Sequence, residues 1–228
     1  GSTQICMIPK KAFVHEDIYD AFEARFVEKV GTLRVGLPSE PGISLSPVLK
    51  IAEFYQFLED AVTRGARLLC GGTRVNHRGE PDAEGQFITP AVLAVDSVET
   101  ALTMRCIQEE NFFPLIPLVK VTGRHGVTGK GRERSILETM IGIANQNEYG
   151  LRISAWVRSI ALRKQFMNEI HNSGILRINC RHVGFSPFMA SHGGTGKSGG
   201  PYGELNYVWQ KTTHLQGVTV NRLPQRNP

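Results

Sequence analysis

The sequence predicts an α/β domain built on a largely parallel sheet. Two observations carry that prediction. Short apolar runs alternate along the 228 residues with segments of helical periodicity, the pattern of layered α/β proteins. One run, Leu115 to Val121, is almost continuously apolar, as buried parallel strands are. No internal repeat or low-complexity segment interrupts the alternation.

Taken in order, Lys11 to His15 reads as a strand. Glu16 and Asp17 suit the first turn of a helix. Ile18, Phe22, Phe26 and Val30 follow at spacing four and are expected on its buried face, and Gly31 can end it. A loop rich in Gly, Pro and Ser covers Gly36 to Pro47. The next helix has Leu49, Ala52, Phe54, Tyr55, Leu58, Ala61 and Val62 as its apolar side. Ala66 to Cys70 is a strand, 73–86 a polar stretch, and Phe87 to Val95 an extended segment restricted by Pro90. After Leu115 to Val121 comes a basic, glycine-rich loop at 122–134. Ile136 to Asn145 and Ile160 to His171 are expected helices, Arg152 to Val157 and Ile175 to Asn179 strands. Val183 to Tyr202 is a long glycine-rich loop, and Thr213 to Val220 a last strand. Residues 1–228 are read as one domain, with Phe22, Leu58, Leu69, Val119, Val157 and Ile178 buried.

Composition narrows the functional classes. A hydrophobic share of 41% and a charged share of 21% are ordinary for a globular chain. No apolar run is long enough to cross a membrane, and no secretory leader opens the sequence. The net charge of +5 raises nucleic acid as a partner. The charges are dispersed, however, and the one cluster, Arg124 to Arg134, reads as a solvated loop, so no nucleic-acid partner is expected. Cysteines stand at 6, 70, 106 and 180 without any C-x-x-C pair, which argues against zinc or another metal. Reduced thiols and a cytoplasmic location are expected, with Cys70 and Cys180 in apolar runs. Ser191-His-Gly-Gly-Thr-Gly-Lys-Ser198 nearly spells a phosphate-binding loop. It lacks the first glycine, follows no apolar strand, and runs into Gly199-Gly200-Pro201, where a helix should open.

A series of stretches, in order, resembles the aldehyde dehydrogenase family. Gln4-Ile5-Cys6 is similar to the end of its G-Q-x-C motif, with Thr3 where the family usually has glycine. Lys11 to Phe22, Ala66 to Gly72 and Gly85-Gln-Phe-Ile-Thr-Pro-Ala-Val-Leu93 follow. Glu109-Glu110-Asn111-Phe112-Phe113-Pro114 resembles E-E-x-F-G-P, with Phe113 for glycine. Ala144-Asn145, Tyr149-Gly150-Leu151, Asn179 and Gly193-Gly194-x-x-x-Ser198-Gly199 complete the series.

The resemblance implies a doubly wound catalytic domain, and NAD- or NADP-dependent oxidation of an aldehyde. Cys6 would be the nucleophile, a role that suits a thiolate near neutral pH. Glu110 would hydrogen-bond the nicotinamide ribose and Phe112 would pack near the nicotinamide. Phe113 would either obstruct the cofactor or fill space that it leaves. Asn179 and Gly193-Gly194 read as architectural, and Lys197 as solvated. His192 stands where the family has an aromatic, a role Phe185 or Phe188 could fill. The family's dinucleotide domain, general base and second oxyanion donor precede the nucleophile motif, and no G-x-G-x-x-G follows a strand here. The isolated chain is therefore expected to be inactive. The C-terminal strand, about 212–220, would pair with another subunit of a homo-oligomer. Two alternatives stay open: a non-catalytic module that keeps the fold, and a coenzyme-A-acylating enzyme.

Overall fold

The computed structural model describes residues 2–182, 193–199, 214 and 216–220. The contacts divide the chain into two compact units, Gly1–Thr122 and Gly123–Pro228, where the sequence reading takes one domain. The seam falls at the start of the glycine-rich basic segment.

The first unit runs β1 (Ala12–His15), α1 (Glu16–Gly31), α2 (Ile51–Thr63), β2 (Arg67–Cys70), β3 (Arg74–Val75), β4 (Phe87–Ile88), β5 (Ala91–Val95), α3 (Val98–Ala101), α4 (Arg105–Gln108) and β6 (Leu115–Val121). Its main sheet has the order β1-β6-β5-β2. β1 and β5 pair parallel to β6, and β2 pairs antiparallel to β5. The central strands are apolar on both faces: all five residues of β5 are buried, as are five of the seven in β6. Pro90 separates β4 from β5, consistent with a residue that removes a ladder donor. Phe54, Phe57, Leu93, Phe113, Leu115 and Val119 belong to one core cluster of this unit.

The faces of the first two helices differ from expectation. On α1, Tyr19 is buried at 2% exposure, while Ile18 and Phe22 are 57% and 37% exposed. Tyr19 packs with Phe26, Val27 and Val30 and donates from its hydroxyl to the Leu118 carbonyl at 3.0 Å. A strict step of four drifts about 40° per step on a helix of 3.6 residues per turn, so Ile18 and Val30 cannot share one face. On α2 the buried side is Phe54, Phe57 and Ala61; Leu49 is 87% exposed, and Tyr55 and Val62 also face outward. Of the other expected core residues, Val119 and Ile178 are fully buried, and Leu58, Leu69 and Val157 are half-buried.

The second unit runs α5 (Gly129–Gln146), β7 (Tyr149–Gly150), β8 (Arg152–Ala155), α6 (Ile160–Glu169), β9 (Ile175–Ile178), β10 (Thr195–Gly196) and β11 (Gly217–Val220). α5 takes in 129–134, so half of the expected basic loop is helical. Arg134 pairs with Glu138 one turn on at 3.0 Å, and side-chain pairs of this kind support a helix that lacks a side-chain cap. β11 and β8 both pair parallel to β9. Over Gly217–Val220 the C-terminal strand pairs with β9 of its own chain. The rest of that segment, Thr212, Thr213 and Leu215 included, lies outside the described residues.

Candidate active site around Cys6

Cys6 is exposed. It lies in a turn in which Ile8 N–H donates to the Ile5 carbonyl at 3.3 Å. The residues before it are anchored to distant parts of the first unit. Ser2 Oγ donates to the Ser46 carbonyl at 2.8 Å. Gln4 Nε2 donates to the Pro47 carbonyl at 2.8 Å, and its Oε1 accepts from Leu49 N–H at 2.9 Å. The Thr3 hydroxyl donates to the Phe113 carbonyl. Ser2 and Thr3 hold φ of 49° and 58°, a left-handed conformation that disfavours any side chain and a β-branched one most. Glycine at position 3 would carry no such cost.

The segment between α4 and β6 brings Glu110 and Phe112 to the same place, and Lys10 joins them. Lys10 Nζ donates to the Thr3 carbonyl at 2.6 Å and lies over the Phe112 ring, 4.6 Å from its centroid. Burial lowers Lys10 to about 8, against the opposing pull of Glu110 and Cys6. The Glu110 carboxyl is pushed up by burial, against the nearby charges of Lys10 and Lys11. Lys10, which sequence reasoning missed, thus lies against Phe112 and within electrostatic reach of Cys6 and Glu110, the other two residues expected from sequence. The only signal for Lys10 was a Lys-Lys pair between a proline and an apolar strand.

Phe113 does not stand in this site. It is fully buried, edge-on to Phe54 and Phe57 at centroid distances of 5.7 and 5.1 Å. Of the other thiols, Cys106 is buried and pushed up to about 12, chiefly by burial and then by Asp60. Cys180 is buried, and Cys70 is half-buried and raised by burial. Exposure therefore favours Cys6 as the reactive thiol. A separate cavity of about 520 Å³ in this unit is lined by Val30, Arg34, Cys70, His77 and Arg78 among others, and shares no residue with the Cys6 cluster.

In the second unit, Asn179 is buried with φ 55°. Its Oδ1 accepts from Val157 N–H at 2.7 Å and its Nδ2 donates to the Val157 carbonyl at 2.9 Å, an architectural clamp at the end of β8. A Cβ on Gly194 would lie 2.6 Å from the Gly150 carbonyl oxygen, so glycine is required for that approach. Lys197 pairs with Glu148. Gly194-Thr-Gly196-Lys-Ser-Gly199 has the G-x-G-x-x-G spacing, but it runs as β10 and a following turn. Phe185, Phe188, Ser191 and His192 lie outside the described residues.

Lys11 supplies a pH prediction. Its Nζ donates to the Ile107 carbonyl, and burial lowers it from 10.5 to about 8. Below pH 8 the folded chain carries a buried charge, and that cost is fully present. Between 8 and 10.5 the unfolded chain binds more protons, so stability rises with pH. Cys106, raised from 9.0, contributes the opposite slope above pH 9. Unfolding free energy is therefore expected to rise by up to about 1 kcal/mol from Lys11 between pH 8 and 9. Lys10, lowered to about the same value, adds a rise of its own, so Lys11→Met should reduce the rise without abolishing it and stabilise the chain at pH 7. Urea titrations at the three pH values check it; an unchanged slope in the variant would contradict it.

The sequence and structure comparisons agree. The model of the aldehyde dehydrogenase family matches residues 1–218. A 3,6-anhydro-alpha-L-galactose dehydrogenase of Vibrio sp. (strain EJY3) is 29% identical over 220 residues, 93% of this chain and 41% of the relative. The mitochondrial aldehyde dehydrogenase of Rattus norvegicus is 28% identical over 230 residues, 98% of this chain and 38% of the relative. Among solved structures, PnpE in complex with nicotinamide adenine dinucleotide aligns with TM-score 0.70 at 27% identity, covering 87% of this chain and 37% of that one. GapN, a glyceraldehyde-3-phosphate dehydrogenase from Methanocaldococcus jannaschii DSM 2661 complexed with NADP, aligns with TM-score 0.68 at 26% identity, covering 86% and 37%. The chain spans about two fifths of the length of these relatives.

Proposed function

The chain belongs to the aldehyde dehydrogenase family, and from that premise we propose that it carries the thiol-bearing part of an NAD- or NADP-dependent aldehyde-oxidising site. One observation carries the reading: Cys6, the exposed thiol, shares a neighbourhood with Glu110 and Phe112. The Cys6 thiolate adds to the carbonyl carbon of an aldehyde, and the backbone N–H at Cys6 helps to hold the oxyanion. A bound nicotinamide would accept the hydride, and water would then release the acid.

The residues present fit such a cofactor. Among the described residues the Glu110 carboxylate has no hydrogen-bond partner, so it is open to a pair of ribose hydroxyls. Phe112 is half-buried, with a flat apolar surface for an aromatic ring. The 228 residues act together with a dinucleotide-binding part and are not expected to turn over alone. Homo-oligomer assembly is also proposed. Among the described residues β11 is an edge strand of its sheet, with Val218 and Val220 41% and 44% exposed, and an apolar edge invites pairing.

A non-catalytic reading is favoured by two departures, the strained backbone at Thr3 and Phe113 in place of glycine. Absorbance of reduced cofactor separates the readings. The protein that carries these residues should reduce NAD or NADP with at least one of a panel of aldehydes that includes an aliphatic, an aromatic and an acidic member. The 228 residues alone should not. No reduction by the carrying protein with either cofactor would favour the non-catalytic module.

A further inference from the structure

We propose that Lys10 is a second carbonyl-capturing group of this chain, its Nζ condensing with aldehydes to an imine beside Cys6. This goes beyond the reading above and needs no nicotinamide. Among the described residues, the partners of Nζ are the Thr3 carbonyl and the Phe112 ring face. Neither is a carboxylate, so no ion pair locks the group as an ammonium. A neutral amine keeps one N–H on the Thr3 carbonyl and still has its lone pair for attack. The group stands within electrostatic reach of Cys6 and Glu110, so an aldehyde drawn to the thiol also meets the amine.

The local chemistry supports each step. With Lys10 lowered to about 8 by burial, roughly one side chain in ten is the free amine near pH 7, against about one in three thousand for an ordinary lysine. The nitrogen lone pair bonds to the carbonyl carbon, and a proton passes from nitrogen to oxygen to give a carbinolamine. Its C–O bond then breaks, the oxygen leaves as water, and C=N forms. Nothing is oxidised or reduced. Glu110, within electrostatic reach of Lys10, is the neighbouring carboxyl group able to relay a proton from the nitrogen to the departing hydroxyl. Lys11 is the internal contrast: its Nζ is tied to the Ile107 carbonyl, and Cys6 is not among the groups that act on it.

The test is reductive trapping on the 228-residue chain with butanal and cyanoborohydride at about pH 7.5, read by peptide mass spectrometry. Lys10 should take up the butyl group about tenfold faster than the exposed Lys50, and the preference should vanish in urea. Cys6→Ser should retain the Lys10 adduct, and Glu110→Gln should slow it severalfold. Labelling of Lys10 no faster than Lys50, or its loss in Cys6→Ser, would overturn the proposal. Since no cofactor takes part, an absence of aldehyde oxidation leaves this result unaffected, and a failure here leaves the role of Cys6 unaffected.

Discussion

Replacing Phe113 with alanine is expected to lower the unfolding free energy by about 4 kcal/mol, the cost of emptying a fully buried phenylalanine site. The ring is 0% exposed and lies edge-on to two other aromatic rings, Phe54 and Phe57, which add directional contacts beyond area burial. Phe57 is itself covered by the Arg105 guanidinium at 4.3 Å, so collapse into the cavity would disturb the start of α4. Phe113→Gly, which restores the family's usual residue, should be at least as costly. Phe112→Ala, at a half-buried position, should cost less than half as much. Urea midpoints for the three variants check this. Equal costs for the Phe112 and Phe113 variants would mean that Phe113 is not packed as described.

Cys6→Ser is expected to abolish aldehyde oxidation by the protein that carries these residues, with a loss of about 10⁴-fold or more in turnover. A serine hydroxyl has nearly the same size but no thiolate-like nucleophile near neutral pH. Because Cys6 is exposed on a turn, the same change should alter stability by no more than about 0.5 kcal/mol. Cys70→Ser serves as the comparison: its thiol is half-buried and raised by burial, and turnover should stay within a few-fold.

The legible parts of this fold were those where one physical signal dominates. β6 was readable to its ends because Leu115 to Val121 is apolar on both faces. α1 was readable because two acids open it and a glycine closes it. Its face was not, because Tyr19 hides a buried ring behind a hydroxyl whose partner in the fold, the Leu118 carbonyl, lies on a distant strand. α3 and α4 span four residues each, too short for a helical period to register.

The site was legible as motifs rather than as chemistry. Cys6, Glu110 and Phe112 came from their order along the chain, and nothing in their spacing says that they meet. Lys10 escaped because its significance lies in burial beside Glu110, a property of packing. Phe113 was visible as a departure, but whether it blocked the site or filled the core depended on Phe54 and Phe57 across the unit.

The most direct measurement of the central proposal is to mix the carrying protein with aldehyde and NAD or NADP, quench within the first turnover, and weigh the Cys6 peptide. The account predicts an acyl group in thioester linkage at Cys6, absent without cofactor and absent in Cys6→Ser. Steady oxidation with an unmodified Cys6, retained in Cys6→Ser, would contradict it.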